Sequence, residues 1–473
     1  MNGFKPTDRR LHFIGIGGIG MSGIAELFLN QGFLISGSDL AASELTTRLA
    51  GMGAVISIGH RSENVHGANI VVISSAVRDS NPEIQEARRL GIPVIPRAEM
   101  LAELMRGKVG IAVAGTHGKT STTSMLATIL TDAGLDPTLV VGGKVDSLGG
   151  NARLGHGNYV IAEADESDGS FLHLPATFGI ITNIDNDHLD YYGDLGAIED
   201  AFVEFVGKLP IGGLAAVCGE DAGVRRCLRR FSKPVATYGF NSDSDYFADA
   251  LSSEGMTQSF DFWARPQGPR SLSRLTKLGR VRLNFPGRHN ILNALGALVI
   301  GLHLELPFSR LATGLTQFSG VKRRFEVRWQ DLGRKRVIID DYGHHPTEIA
   351  ATLNAARSCW PGRIITVFQP HRYSRTLSCH DAFLTSFRQS DVVHLVDIYA
   401  AGEAPIAGVT SEALALEIIS EPGQRVSYAG DLAGAQAAVL RDFRDGDLVL
   451  CLGAGSITQL PELLVAALGA SSA

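Results

Sequence analysis

The sequence predicts an α/β protein of three domains: a Rossmann-like N-terminal domain, a central P-loop ATPase-type α/β domain and a C-terminal Rossmann-like α/β domain. Three observations predict it. Apolar runs of strand length alternate with helix-length segments along most of the chain, as parallel sheets covered on both faces require. Glycine is abundant, at 54 residues, and its clusters follow those runs, marking strand–loop–helix junctions. The chain is also long enough: 473 residues leave room for two to four domains at ~100–200 residues each. The boundaries fall near residues 106 and 322, dividing the chain into 1–106, 107–321 and 322–473.

Bulk composition narrows the function classes. The chain is 45% hydrophobic and 19% charged, which supplies several cores. A net charge of −6 argues against nucleic-acid binding as the main task, because basic surfaces supply that affinity. The five cysteines form no CxxC pair and are odd in number, so reduced thiols in a cytoplasmic protein are expected rather than disulfides or a zinc cluster. The opening stretch MNGFKPTDRRLHFIGIGGIG reads as a buried strand and not a secretory leader. No run approaches the ~18 apolar residues that would span a bilayer, so no membrane partner is expected.

The first segment starts with a strand over Leu11–Ile16, a glycine turn, a helix to about Asn30 and a second strand ending at Ser38–Asp39. That is a βαβ unit of the dinucleotide-binding type. Further strands are expected at Ala54–Ile58, Ile70–Ser74 and Val94–Ile95, with a helix over Glu83–Leu90. The second segment places a strand at Lys108–Ala114, a turn at Gly115–Gly118 and a helix at Lys119–Ala133. Strands follow at Tyr159–Glu163, Phe178–Thr182 and Leu214–Cys218. Alternating polar and apolar residues mark strands within Tyr246–Trp263 and Arg280–Phe285, and a helix runs from Arg288 to about His303. The third segment reads as strand Arg336–Asp340, helix Pro346–Ala356, strands Arg363–Phe368 and Val392–Val396, helix Ser411–Ile419 and strand Leu448–Leu452.

The sharpest local signal is GIAVAGTHGKTSTTSMLATIL. An apolar strand delivers a short glycine loop to a helix N-terminus, where unpaired N–H groups and the helix dipole favour polyphosphate. Lys119 can reach β- and γ-phosphates, and Thr120 can place its hydroxyl on magnesium. Val113 stands where the usual G-x-x-x-x-G-K-[ST] pattern has its first glycine, so the loop is the short form GTHGKT.

Gly15, Gly17 and Gly20 fit G-x-G-x-x-G, and Asp39 closes the next strand. Three readings stay open for this loop: an NAD site, a seat for another diphosphate such as that of a UDP-sugar, or a structural tight turn. Two acidic runs end strands in the central segment. YVIAEADESDGSF offers Glu163, Asp165, Glu166 and Asp168; FGIITNIDNDHLDYYGD offers Asp185, Asp187, His188 and Asp190. Carboxylates at strand ends beside a phosphate loop suit magnesium, though solvated loop charge is the bland alternative. In the third segment VIIDDYGHHPTEIA presents Asp340, Asp341, Tyr342, His344 and His345, and VFQPHRYSRT presents His371, Arg372, Tyr373 and Arg375. Zinc is one reading of these histidines. Two arginines three apart better suit a carboxylate, which a guanidinium grips with a fork. Lys322, Arg323 and Arg324 read either as a solvated linker or as a charge clamp.

GTHGKT, EADESD, DNDHLD, GRHNILNAL, KRRFE, DDYGHHPTE and FQPHRYSRT occur here in the order found in the Mur ligases, and with GIGGIGMSG and SGSD the whole chain resembles that family. The resemblance implies a cytoplasmic step of peptidoglycan precursor synthesis. ATP would phosphorylate the lactyl carboxylate of UDP-N-acetylmuramate, and the amine of L-alanine would attack the acyl phosphate. It implies ATP and Mg2+ as cofactors and a monomer or weak dimer. It implies that Lys119, Glu163, His188 and Arg324 are catalytic, with Thr120, Glu163 and His188 on metal and Glu166 in reserve. ATP would take Gly115, Thr116, His117, Gly118, Lys119, Thr120, Ser121, Asn290, Asn293, Arg324 and Asp341. The sugar nucleotide would take Gly15, Gly17, Gly18, Gly20, Ser38, Asp39, Ser74 and Ser75, and L-alanine would take Tyr342, His344, Arg372 and Arg375. One departure concerns a carbamylated lysine that several Mur ligases carry after the metal histidine. No lysine lies between Lys144 and Lys208, and Glu204 is expected to supply that negative charge. A relative that attaches a murein tripeptide to the same sugar nucleotide, and an NAD-dependent oxidoreductase, are the competing readings.

Overall fold

The computed structural model describes residues 9–74, 76–145, 150–265 and 275–470, and three sheets organise them. The first contains β1 (Arg10–Ile14), β2 (Leu34–Asp39), β3 (Val55–Ile58), β4 (Ile70–Ile73) and β5 (Val94–Pro96), in the order β3-β2-β1-β4-β5. Every neighbouring pair is parallel, as the continuous apolar runs predict. Leu11 and Phe13 pack on one face with Leu27 and Phe28 of α1 (Ile19–Asn30), while Ile14 packs on the other with Val65 and Ile84. The chain leaves β1 for β2 on one side and later returns through β4 on the other. The glycine loop after β1 therefore opens at a topological switch point, where α/β sheets bind ligands.

The second sheet has ten strands. These are β6 (Val109–Ala114), β7 (Thr138–Val145), β8 (Gly150–Arg153), β9 (Tyr159–Glu163), β10 (Phe178–Ile181), β11 (Leu214–Cys218), β12 (Val235–Gly239), β13 (Tyr246–Glu254), β14 (Thr257–Ala264) and β15 (Thr276–Leu283). Their order is β15-β14-β13-β12-β11-β10-β6-β9-β7-β8. The central strand β6 lies between β10 and β9 and is parallel to both. Three consecutive strand ends thus deliver the phosphate loop, Glu163 and the Thr182–Asp187 turn to one edge. The sequence reading left out β7, β8 and β12. β7 and β8 contain glycine pairs or a glycine start, and β12 is a short run with only two large apolar residues.

The third sheet contains β16 (Glu326–Asp331), β17 (Arg336–Asp341), β18 (Ile364–Phe368), β19 (Val392–Val396), β20 (Arg425–Gly430) and β21 (Leu448–Leu452), ordered β16-β17-β21-β18-β19-β20. Only β16 runs antiparallel to its neighbour. Val337 and Ile339 join one core cluster and Ile338 another, so helices cover both faces.

The chain divides into two compact units. One takes the chain up to Ala250, with Phe260–Val281 and Leu292–Ser319; the other takes Leu251–Ser259, Arg282–Ile291 and the chain from Gly320. In the first, one core cluster includes residues from Leu11 to Cys227, and a smaller one lies on the other face of the first sheet. Among the described residues no helix is long and apolar enough to cross a membrane. All five cysteines are free thiols.

The first unit's core holds an aromatic knot under the phosphate-loop sheet. Phe171, Phe202 and Phe205 are at most 2% exposed, and Phe171 lies 5.3 Å from each of the other two rings. Phe202→Ala should destabilise this unit by about 3–5 kcal/mol, the usual result of emptying an aromatic site. Chemical denaturation checks it: an unchanged midpoint would mean that the core collapses into the space.

Candidate active site

β6 ends in a loop whose conformation requires glycine. Gly115 adopts φ +127°, and a Cβ there would sit 2.1 Å from Thr182 Oγ1. Gly118 adopts φ +82°, and a Cβ would sit 2.7 Å from Asn293 Oδ1. Gly118 is also the cap of the helix Lys119–Asp132, which has no side-chain cap on its first N–H groups. The helix therefore presents uncapped donors and the positive end of its dipole at the loop, as phosphate binding needs.

The loop is held from below by the β10 turn. Asn183 Oδ1 accepts the His117 N–H at 2.8 Å, and the carbonyl of His117 accepts from Thr182 Oγ1 at 2.6 Å and Asn183 Nδ2 at 2.9 Å. Thr116 Oγ1 accepts the Asp185 N–H at 2.9 Å, and the His117 ring lies 3.0 Å from Asp185 Oδ2. Ser121 stands on the first helical turn, half-buried.

Lys119 Nζ is drawn back into the loop. It donates to the carbonyls of Gly115 at 2.7 Å and Thr116 at 3.1 Å, and to Glu166 at 2.7 and 3.0 Å. Burial opposes the Lys119 charge, but Glu166, Asp165 and Glu163 outweigh it and raise the ammonium above its ordinary range. Burial raises Glu166, helped by Asp165 and opposed by Lys119. Asp165 is held low despite burial, chiefly by Lys119, the Ser167 N–H and Arg97. Thr120 Oγ1 donates to both oxygens of Glu163, at 3.0 and 3.1 Å. His188 takes the left-handed conformation, φ +57°, which brings its Nε2 to 3.8 Å from Glu166 Oε1. Thr120 with Glu163, and His188 with Glu166, thus form two pairs of oxygen and imidazole donors on the loops beside the phosphate loop, groups of the kind a divalent cation with polyphosphate takes. Other acids in these runs shape turns: Asp165 accepts from Ser167 N–H, Asp168 from Ser170 N–H, and Asp187 from His188 N–H.

Glu204 does not join this set. Its carboxylate is over half exposed and pairs with Lys208 at 2.7 Å, one helical turn on. The expectation that it supplies charge at the metal is corrected on that ground.

The first glycine loop is stapled by its own strand. Ser38's carbonyl accepts the N–H groups of Gly15 at 2.8 Å and Ile16 at 3.0 Å, and Asp39 Oδ2 accepts the Gly17 N–H at 2.8 Å. Gly18 caps α1 without a side-chain bond, so this helix N-terminus is also uncapped by any side chain. The Ser38 hydroxyl points the other way, into a buried bond of 2.6 Å to Glu83. Ser74 is half-buried just after β4. Ser75 and the side chain of Asp190 lie outside the described residues. Sequence reasoning missed Arg97, the first residue of the helix Arg97–Met105. It packs against Gly20 and reaches to 3.8 Å from Asp165 Oδ2, tying the first loop to the acidic run. A base in a helix's first turn opposes the dipole, and that was the available signal.

The second unit carries its own cluster. Asp341 is 5% exposed and accepts the N–H groups of Phe325 at 2.7 Å and Gly343 at 2.8 Å. Burial raises it, against the pull of Arg324 and those N–H groups. Arg324 donates to Glu348 at 3.2 Å. Burial works against this guanidinium, but Glu348 and Asp341 hold its charge firmly. Arg323 and Arg324 sit over the Tyr342 ring at 5.2 and 5.1 Å, so these two arginines are packed into the cluster, while Lys322 beside them is exposed. His344 lies edge-on to both Tyr342 and His371, and Arg375 Nη1 is 3.4 Å from His371 Nδ1. Arg372 takes φ +69° and bonds through its N–H to the Tyr399 carbonyl. Asn290, 8% exposed, donates to the Pro286 carbonyl at 2.7 Å. Glu348 and Glu403, neither anticipated, anchor this cluster: Glu403 accepts from Ser374 N–H at 3.0 Å and its hydroxyl at 2.6 Å.

Comparison with known proteins adds a second line. Residues 10–109 match the model of the Mur ligase family catalytic domain, 113–301 the Mur ligase middle domain, and 323–455 the Mur ligase glutamate ligase domain. The chain is 51% identical to the UDP-N-acetylmuramate–L-alanine ligase of Syntrophotalea carbinolica, over 96% of this chain and 97% of the relative. It is 52% identical to the enzyme of the same name from Solibacter usitatus, over 97% and 95%. Among solved structures it is similar to the UDP-N-acetylmuramate–alanine ligase of Thermotoga maritima, with TM-score 0.80, 28% identity and coverage of 98% and 99%.

The histidines of the second unit give a pH prediction. Burial pushes His289, His344 and His371 from 6.5 down to about 4; Arg324 adds to this at His289, while Arg375 adds to it at His344 and His371. Between those values the unfolded chain binds more protons than the fold, so stability rises with pH there. The second unit should be at full stability above pH 6.5 and lose it as pH falls toward 4. NMR titration of the three imidazoles checks this; midpoints near 6.5 would contradict it.

Proposed function

Because the chain belongs to the Mur ligase family, we propose its chemistry from that premise. It joins L-alanine to the lactyl carboxylate of UDP-N-acetylmuramate with ATP as the driving substrate, through an acyl phosphate, in peptidoglycan precursor synthesis. One observation carries the assignment: half-identity, over nearly the whole chain, to ligases of that activity. That identity does not favour the tripeptide ligase, and it leaves the oxidoreductase reading without support.

The chemistry brings two anions together. A carboxylate oxygen attacks the γ-phosphorus as the bond to the β-phosphate oxygen breaks and ADP leaves. The alanine amine, having lost its proton, then attacks the acyl carbon, and the tetrahedral intermediate expels phosphate to leave the amide. Charge must be neutralised for the first step. In this reading Lys119 turns from Glu166 to the phosphates, and the N–H groups from Gly115 to Ser121 cradle them. Thr120 and Glu163, with His188, hold Mg2+, which when bound draws negative charge from the phosphate oxygens. Asn290, Asn293, Arg324 and Asp341 serve ATP. Gly15, Gly17, Gly18 and Gly20 take the sugar nucleotide's diphosphate, with Arg97 as a further cation. Tyr342, His344, Arg372 and Arg375 take L-alanine, the arginines on its carboxylate. We assign domains 1–106, 107–321 and 322–473, a cytoplasmic location, and a monomer or weak dimer.

Phosphate release from ATP tests this reading. It should require both UDP-N-acetylmuramate and L-alanine; release with the tripeptide but not with L-alanine would overturn the substrate. Lys119→Ala should lower kcat by about 10²–10³ or more, the scale of losing one preorganised charge contact. The fold should survive, because Glu166, already raised by burial, can take up a proton when its partner is gone. Retained turnover in a folded variant would contradict the role given to Lys119.

A further inference from the structure

The N-terminal sheet has a second polar feature, away from its glycine loop. Leu11, Phe13 and Ile35 occupy the face that packs on α1. The opposite face is only partly covered, by the short turn Ser62–Val65 and the helix Pro82–Arg89. Toward the strand starts it holds a cavity of about 480 Å³ lined by Arg10 and His12 of β1, Ser36 of β2, Ser57 of β3, and Arg61 and Asn64. The glycine loop stands at the other end of these strands, so the cavity is separate from the seat given to the sugar nucleotide.

The lining has an unusual charge pattern for a sheet face. Among the described residues neither Arg10 nor Arg61 has an acidic partner. One carboxylate, the exposed Glu63, also borders the space, and His66 at the rim is paired with Glu86 at 3.1 Å. The floor is fixed. His12 is 1% exposed, and its Nδ1 lies 3.0 Å from Ser36 Oγ. Its Nε2 has no hydrogen-bond partner and stands 3.7 Å from Glu83. Asn64 donates to the Gly59 carbonyl and to Glu83, which is fully buried and also accepts from Ser38. Two arginines lining the space with hydroxyl, imidazole and amide groups, against a single carboxylate, favour a dianion with a hydroxylated body. The volume lies within the range of small-molecule sites and exceeds what a bare phosphate fills.

We propose that this cavity binds a phosphomonoester of sugar size, with Arg10 and Arg61 on the phosphate and Ser36, Ser57 and Asn64 on the hydroxyls. The site does not depend on the ligase reading. Glucose 6-phosphate is the probe, titrated by calorimetry into the full-length protein with ADP and UDP at saturation to occupy other phosphate sites. Saturable binding at millimolar concentration or below is expected. Arg61→Ala, at an exposed position that leaves folding intact, should weaken it at least about tenfold, the loss of one charge-assisted contact, and Arg10→Ala should do the same. Ligase turnover without the sugar phosphate should be unchanged in both. Absence of saturable binding to the wild type, binding unaffected by Arg61→Ala, or tighter binding of succinate than of glucose 6-phosphate would overturn the proposal.

Discussion

The ion pair between Lys119 and Glu166 is the interaction on which the central site depends. Its side chains are 13% and 2% exposed, so neither charge can be left to solvent. A buried ammonium needs an anion, and in the protein alone the anion is a carboxylate supplied by the loop after β9. The loop carbonyls of Gly115 and Thr116 complete its hydrogen bonds. Polyphosphate can replace all of these contacts at once, because it brings several oxygens and more charge. The same logic applies one residue on, where the Thr120 hydroxyl and Glu163 already point at each other. Both pairs hold in place the side chains that the proposed chemistry assigns to ATP and its metal.

The sheets explain why those groups meet. β6, β9 and β10 are parallel neighbours, so their ends emerge at one edge. The loop after β6 carries donors, the loop after β9 carries acids, and the loop after β10 carries the side chains that hold the first loop in shape. The third sheet repeats the device with β17 and β18 flanking β21, which sets the Asp341–His345 and His371–Arg375 loops side by side. Small conformational strains mark these places. His188, Arg323 and Arg372 all take positive φ without being glycine, and each lies in one of the candidate clusters.

Much of this was legible in the sequence because strand, glycine loop and helix follow each other without gaps. The apolar runs at Val109–Ala114, Tyr159–Glu163 and Leu214–Cys218 have strand length and end at loop signals, which reads them as buried strands. Strands with weak side-chain signals were not legible: Thr138–Val145 is interrupted by two glycines, and Arg425–Gly430 is an edge strand with polar residues. Site residues on motifs were readable, but residues acting through space were not. Asn183 holds the phosphate loop from 66 positions away in the chain. Arg97 reaches Asp165 from another sheet's connecting helix. Glu204 shows the converse: sequence distance placed it at the metal, and the helix turns it outward to Lys208.

The most direct measurement is a crystal structure of the protein with a non-hydrolysable ATP analogue and Mg2+. The account predicts that Lys119 Nζ leaves Glu166 for the β- and γ-phosphate oxygens, with Thr120 and Glu163 on the metal. A nucleotide bound elsewhere, or bound at the loop with the Lys119–Glu166 pair intact, would contradict it.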